Sequence, residues 1–315
     1  SVDFATEFGP ARGPGEPVEQ WHYDLAAALQ KTLEESVLEI ALRFHERTGL
    51  DDLCMAGGVA LNCVMNGRLR DEGPFKRIFV QPAAGDAGTA LGAAYLIDSD
   101  LRHEASPFTM DHAYLGPSYA ESEVRRVLEG ARLAYERPED IGDAVAELLA
   151  QDRIVGWFQG RMEFGPRALG ARSILAAPSD PDMKDRLNAI KQREEFRPVA
   201  PAVMEEHLSA YFETDVPDPF MLFVANVRPE KAHEIPAVRH IDGTARAQSV
   251  NAASAPLFHH VIDCFRRRSG VPVVINTSFN TRGEPIVCTP EDALACYFTT
   301  ALDALAIGPY LLRKR

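Results

Sequence analysis

Twice in its N-terminal third the chain runs a short apolar stretch into glycine and then into a helical pattern. Leu53 to Ala56 meets Gly57-Gly58 and a helix-like segment through Arg70; Ile78 to Val80 meets Gly85-Asp86-Ala87-Gly88 and the small-residue helix Thr89 to Ile97. Strand, glycine turn, helix, repeated in this way, restricts the chain to architectures that lay helices on a sheet. The turns themselves do not identify a ligand, since tight strand-to-helix turns need glycine for steric reasons alone.

Ahead of this pattern, Leu25, Leu29, Leu33, Val37, Ile40, Ala41 and Phe44 recur at spacings of three and four, which predicts a helix with one buried face ending at Gly49. Between Asp98 and Pro117 the pattern gives way to polar and turn residues, read as a linker. Beyond it, helical patterns at Glu121 to Leu128 and Ile141 to Leu149 alternate with strand-like runs at Ile154 to Phe158, Phe220 to Val224 and Val271 to Ile275. Thr289-Pro290-Glu291-Asp292 predicts a capped helix, followed by a short strand near Leu305 to Leu312. The expected class is α/β or α+β.

At 315 residues the chain exceeds one ordinary core, so two domains are expected. Hydrophobic residues make up 46% and charged residues 25%, which is ordinary globular usage. Lys+Arg 33 against Asp+Glu 46 gives a net charge of -13, a field that repels phosphate backbones and argues against generic nucleic-acid binding. Five scattered cysteines without CxxC spacing predict neither a disulfide framework nor a zinc signature. No apolar run approaches the roughly 18 to 20 residues of a membrane span, and the first residues lack the features of a secretion signal. A soluble cytoplasmic protein with no membrane partner is expected. The opening on Ser1 and the Pro/Gly-rich stretch from Pro10 to Pro17 suggest a reading that begins inside a longer polypeptide.

In this acidic chain, Arg161 through Ser173 (RMEFGPRALGARS) concentrates Arg161, Arg167 and Arg172 among glycines. Guanidinium forks match phosphate and carboxylate oxygens, and glycines let backbone amides approach an anion; a solvated loop paired with carboxylates is the competing reading. Lys191, Arg193 and Arg197 form a second cluster before Pro198, with Glu194 and Glu195 available to neutralise it. Taken with Arg282, which follows Asn276-Thr277-Ser278-Phe279-Asn280, several cations fall near predicted strand ends, where open α/β sheets bind ligands. A convergent polyanion site is therefore expected. Asp86, between glycines at a helix start, suits either a cap or a metal. No GxSxG or Walker A motif is present. His259-His260 reads as helix surface, its two rings on different faces.

In order along the chain, Met55 to Asn62, Pro82 to Gly88, Arg161 to Ser173, Lys191 to Pro201 and Asn276 to Glu284 resemble the C-terminal half of the O-carbamoyltransferases of antibiotic and nodulation-factor biosynthesis. The resemblance covers nearly the whole chain. It implies the distal lobe of an actin-like ATPase (Kae1-like) fold over residues 1–105, followed by a YrdC-like α/β domain with a twisted mixed sheet over 106–315. It also implies an ATP-dependent carbamoyltransferase that makes carbamoyl adenylate from carbamoyl phosphate and ATP, then carbamoylates a small-molecule hydroxyl.

The cofactors so implied are ATP, carbamoyl phosphate as co-substrate, and a divalent metal, Mg or Fe. By the same resemblance Lys191, Arg197 and Arg167 carry catalysis. Arg161, Arg172, Arg193, Arg246, Ser278, Asn280 and Arg282 bind substrate or ATP phosphates; Gly57, Gly58 and Asn62 face adenosine; Asp86 binds the metal. None of His22, His45, His103 or His112 forms a recognisable ligand pair. Relatives are about twice as long, so a missing N-terminal lobe or a second chain is an expected partner, with a homo-oligomer in the full-length form. Two further readings stay open: a tRNA threonylcarbamoyl-adenosine modification enzyme, which the charge disfavours, and a non-catalytic anion-binding or partner-lobe subunit, which has no need of these motifs.

Overall fold

The computed structural model describes residues 4–102 and 109–314. His103 and the expected domain boundary between residues 105 and 106 lie outside the described residues. Helices are α1 (Phe4–Phe8), α2 (Gln20–Thr48), α3 (Cys63–Glu72), α4 (Ala87–Arg102), α5 (Glu121–Gly130), α6 (Ile141–Leu149), α7 (Met183–Ile190), α8 (Leu208–Tyr211), α9 (Pro256–Ser269) and α10 (Pro290–Thr299). Strands are β1 (Asp52–Met55), β2 (Arg77–Val80), β3 (Val155–Phe158), β4 (Arg172–Ala176), β5 (Ala200–Met204), β6 (Ala225–Asn226), β7 (Thr244–Ala245), β8 (Gln248–Val250), β9 (Val273–Ser278), β10 (Ala304–Ile307) and β11 (Tyr310–Arg313).

Two compact units emerge: Ser1–Leu53 with Gly67–Ile78, and Cys54–Asn66 with Phe79–Arg315. In the first, α2 forms as its periodicity predicts and ends at Gly49, whose φ of 65° is the left-handed cap that glycine adopts freely. Its expected buried face is a correction. Only Ala41 is buried, Leu25, Leu33 and Val37 are half-buried, and Leu29, Ile40 and Phe44 are exposed. Spacing sets which side chains share a helix face; it does not supply the surface that covers them.

The second unit is an α/β fold around a mixed sheet ordered β11-β10-β3-β4-β9-β5-β8. Parallel pairing joins β10 to β3 and β5 to β8; the other neighbours run antiparallel. All residues of β3, β4 and β5 are buried, the pattern of sheet centres covered on both faces. Helices α6 and α9 pack on one another and against this sheet, and α10 packs against α5, β3 and β10. The α10 start is as predicted: Thr289 Oγ1 accepts the Asp292 amide, Asp292 caps back onto the Thr289 amide, and Pro290 occupies the first turn.

Two strand predictions are corrected. Phe220 to Val224 is not a strand but a loop gathered by Asp218, whose carboxylate accepts the amides of Phe220 (3.1 Å), Leu222 (2.7 Å) and Phe223 (2.8 Å). A carboxylate has replaced the ladder, while all the side chains but the half-buried Phe223 remain buried and so look strand-like in sequence. The single strand near Leu305 to Leu312 is the hairpin β10–β11, turned at Gly308 with φ 54°.

Candidate functional site

The C-terminus of α7 positions the second basic cluster. Lys191 follows the last helical residue, and Gln192 takes a φ of 52°, a left-handed conformation that lets the chain turn between Lys191 and Arg193. A cation here also meets the negative end of the helix dipole. Asn188, fully buried, ties the turn together: its amide donates to the Glu195 and Arg197 carbonyls and its oxygen accepts Arg193 Nε at 2.6 Å.

Opposite stands the end of β9. Lys191 Nζ reaches the Ser278 carbonyl (2.5 Å), Asn280 Oδ1 (2.8 Å), the Asn280 carbonyl (2.9 Å) and Ser278 Oγ (3.2 Å). Ser278 Oγ donates to Asn280 Oδ1 at 2.7 Å, and Asn280 Nδ2 to the Glu284 carbonyl at 2.7 Å. The Ser-x-Asn element is thus folded around the ammonium. Burial, reinforced by Arg193, pulls Lys191 from 10.5 down to about 7, while its four oxygen neighbours favour the charged form. Having three protons and four acceptors, the ammonium is saturated; an incoming anion must displace one of them.

Lys191, Arg193, Arg197, Ser278, Asn280 and Arg282 line one cleft of about 340 Å³, with Glu194 and Glu284 on its wall. Arg197 and Arg282 are mostly exposed and share Glu194, at 2.7 and 3.6 Å. Two exposed guanidiniums on one carboxylate leave donors for a further anion.

Arg246 and Arg167 extend the positive field inward. Arg246 lies close enough to both Arg193 and Arg167 to help lower them, and burial, the larger cause, brings each to about 10. Arg167 Nη2 donates to the Leu61 carbonyl at 3.3 Å, yet the Nε atoms of Arg167 and Arg246 are buried without a partner. Buried unpaired donors are costly, and Arg172 Nε is a third of the same kind, so each of these atoms has room in its hydrogen bonding for an added acceptor. Asp218 lies near Arg246 and is pushed up to about 6 by burial, against its three amide bonds.

The other residues singled out from sequence stand elsewhere. Arg172 is fully buried in β4, its guanidinium donating to the carbonyls of Gln159, Gly160, Ala171 and Pro117 and stacked 3.7 Å over the Phe158 ring. Arg161 holds the Leu115 and Gly116 carbonyls beside a separate, largely apolar cavity of about 440 Å³. Neither lines the Lys191 cleft, and neither do Arg167 and Arg246, which corrects the expectation that all the cations converge on one volume. Gly57 (φ 100°) and Asp86 line a third cavity, of about 530 Å³. Gly58 opens a short 3-10 turn, and Asn62 Oδ1 caps α3 through the Met65 amide at 3.0 Å.

Among the described residues Asp86 belongs to no group of three metal-type ligands. The side chains present do not complete a metal site there.

Residues missed from sequence include Glu163, whose buried Oε1 accepts the amides of Leu169, Ala171 and Arg172 and locks the loop, and Gln248, which bonds the Leu169 carbonyl and Asn276. Glycine is required at Gly170, with φ 107°, because a side chain would enter the Phe258 ring.

The family model described as carbamoyltransferase C-terminus matches residues 146–314, and the one described as carbamoyltransferase N-terminus matches residues 8–95. An uncharacterised protein of Synechocystis sp. is 44% identical over 99% of this chain and 55% of its own length. Nodulation protein NolO of Bradyrhizobium diazoefficiens is 44% identical over 96% of this chain and 57% of its own. The chain thus spans about half the length of these relatives. Among solved structures, full-length HypF in its phosphate- and nucleotide-bound form is similar over 64% of this chain and 22% of its own, at 18% identity and a TM-score of 0.37.

Proposed function

The chain belongs to the carbamoyltransferase family, and on that premise we propose that the Lys191 cleft forms carbamoyl adenylate for transfer to a small-molecule hydroxyl. Residues 106–315 would act as the YrdC-like adenylate-forming domain and residues 1–105 as the distal part of a Kae1-like transfer domain, completed by a partner lobe. Water cleaves carbamoyl phosphate to carbamate and inorganic phosphate, the water's oxygen replacing the broken anhydride bond, and a carbamate oxygen then attacks the α-phosphorus of ATP. The new bond is carbamate oxygen to phosphorus; the bond to pyrophosphate breaks, and pyrophosphate leaves with the electron pair.

The observation that supports this reading is the cleft itself, where Lys191, Arg193, Arg197 and Arg282 share one volume with Ser278 and Asn280. Bringing carbamate, triphosphate and pyrophosphate together piles up negative charge, and fixed cations in a partly buried site offset it without reorganising. Ser278 and Asn280 hold the ammonium in place until an anion oxygen replaces one of their contacts. Arg193 and Arg246, backed by Arg167, keep the deeper end positive. The exposed Arg197 and Arg282 are free to swing from Glu194 to the departing pyrophosphate.

The test is exchange of labelled pyrophosphate into ATP. Exchange that requires carbamoyl phosphate and is lost in Lys191→Met supports the reading; exchange unaltered by that change, or none with the full-length enzyme, removes it.

A further inference from the structure

On the α6–α9 side of the second unit, three chemically different ligand groups meet outside the basic cleft. His260 Nε2 lies 2.7 Å from Asp140 Oδ2 and 3.6 Å from Cys264 Sγ, and the three donor atoms all fall within 4.8 Å of one another. His260 and Cys264 are four residues apart on α9, hence on one face. Asp140 ends the loop before α6, where its Oδ1 accepts the Asp143 amide at 3.0 Å and caps the helix. One carboxylate oxygen is therefore committed to the fold and the other is aimed at the imidazole. Gly142 sits against the same ring: a Cβ there would lie 2.6 Å from His260 Cδ2, so glycine makes room for the imidazole at the start of α6.

We propose that Asp140, His260 and Cys264 form a binding site for a zinc-class divalent ion, with a water in the fourth position. Tetrahedral zinc with Zn–N of about 2.0–2.1 Å and Zn–S of about 2.3 Å sets nitrogen and sulfur about 3.6 Å apart, the Nε2–Sγ separation found here, but Sγ also lies 3.9 Å from Nδ1, against the ring, so the imidazole has to turn for its Nε2 lone pair and the sulfur to face one ion. The Asp140–His260 edge has to open by roughly 0.6 Å to reach the nitrogen-to-oxygen edge of such a site, the metal replacing the hydrogen between them. His260 is 39% and Asp140 47% exposed, so ion and water can enter from solvent, while Cys264 closes the inner side.

Arg268 is paired with Asp143, and Arg267 with Asp263. Arg267 Nη2 also touches Cys264 Sγ at 3.3 Å but is more than half exposed, so it can withdraw. On binding, three metal–ligand bonds form, the thiol proton passes to solvent, and the ring hydrogen resides on Nδ1 so that the Nε2 lone pair faces the ion. Burial pushes the thiol up, so proton release accompanies loading. The bound ion would clip the start of α6 to the middle of α9. This proposal does not depend on the carbamoyl chemistry.

The test is titration of the chelator-stripped full chain with cobalt(II) alone, followed by optical absorption. One equivalent is expected to give a sulfur-to-cobalt charge-transfer band that zinc(II) displaces. Cys264→Ser should abolish the band, and His260→Gln and Asp140→Asn should each weaken binding at least about tenfold. No band, a band of full strength in Cys264→Ser carried by another cysteine, or an unchanged affinity in His260→Gln would overturn the assignment. If Cys264→Ser fails to give the native circular dichroism spectrum, the His260 and Asp140 titrations decide.

Discussion

Arg172 and Lys191 are both buried cations, each surrounded by carbonyl oxygens, and they stand in opposite relation to solvent. The Arg172 guanidinium sits inside the sheet with backbone acceptors on its edge and Phe158 on its face. The Lys191 ammonium is gripped by Ser278 and Asn280 at the wall of an open cleft that also holds three guanidiniums. Composition marked both stretches as basic. Only the second places its charge where an anion can arrive, so the difference lies in what the neighbouring backbone already asks of the cation.

The sharpest way to break this contrast is Arg172→Leu. With the guanidinium gone, the Gln159 and Gly160 carbonyls lose its bonds and the Phe158 ring loses its stacked partner, while the Ala171 and Pro117 carbonyls keep the amides of Gln159 and Met162, and a loss of about 3–5 kcal/mol in denaturant unfolding is expected; a loss below about 1 kcal/mol would mean that Arg172 is no structural post. Lys191→Met should instead leave the fold largely standing and lower carbamoyl phosphate-dependent pyrophosphate exchange by at least about 100-fold, about 2.7 kcal/mol of transition-state stabilisation.

A smaller effect is the pH response. Below about 7 Lys191 carries its proton and above it the free protein loses it, so pyrophosphate affinity measured by calorimetry should fall as pH rises through that value. Lys191→Arg, which keeps its charge, should flatten the profile. The linkage has the opposite sign for folding. Between about 7 and the ordinary 10.5 the unfolded chain binds a proton that the folded chain lacks, so this residue makes stability rise with pH across that window. The least effect is expected from Arg161→Ala. Its two carbonyl bonds are exposed, and a change of about 0.5–1.5 kcal/mol with exchange intact would keep it on the structural side of the comparison. Lost exchange at unchanged stability would move it across.

Elements with local signatures were legible in sequence: the glycine-terminated α2, the Thr289-capped α10 and the buried run of β3 all follow from neighbours in the chain. The Lys191, Ser278 and Asn280 grouping was legible through family motifs, because sequence spacing alone says nothing about residues that distant. What stayed hidden depends on single long-range or oddly placed acceptors. Asp218 gathers three amides and turns an apolar run into a loop; Glu163 does the same for the stretch before β4. Each is one carboxylate among many in an acidic chain. The Asp140, His260 and Cys264 grouping joins an inter-element loop to a helix far along the chain, and His260 alone looked like surface.

The register of the sheet ties the two cations together mechanically. Ser173 pairs with Ser278, and the amide of Phe279 donates to the Arg172 carbonyl. The residue anchoring the interior and the residues cradling the ammonium are therefore adjacent rungs. A change that shifts β9 therefore disturbs the strand holding Arg172 at the next rung, whereas the loop after Asn280 lies beyond the ladder and is bound by no such register.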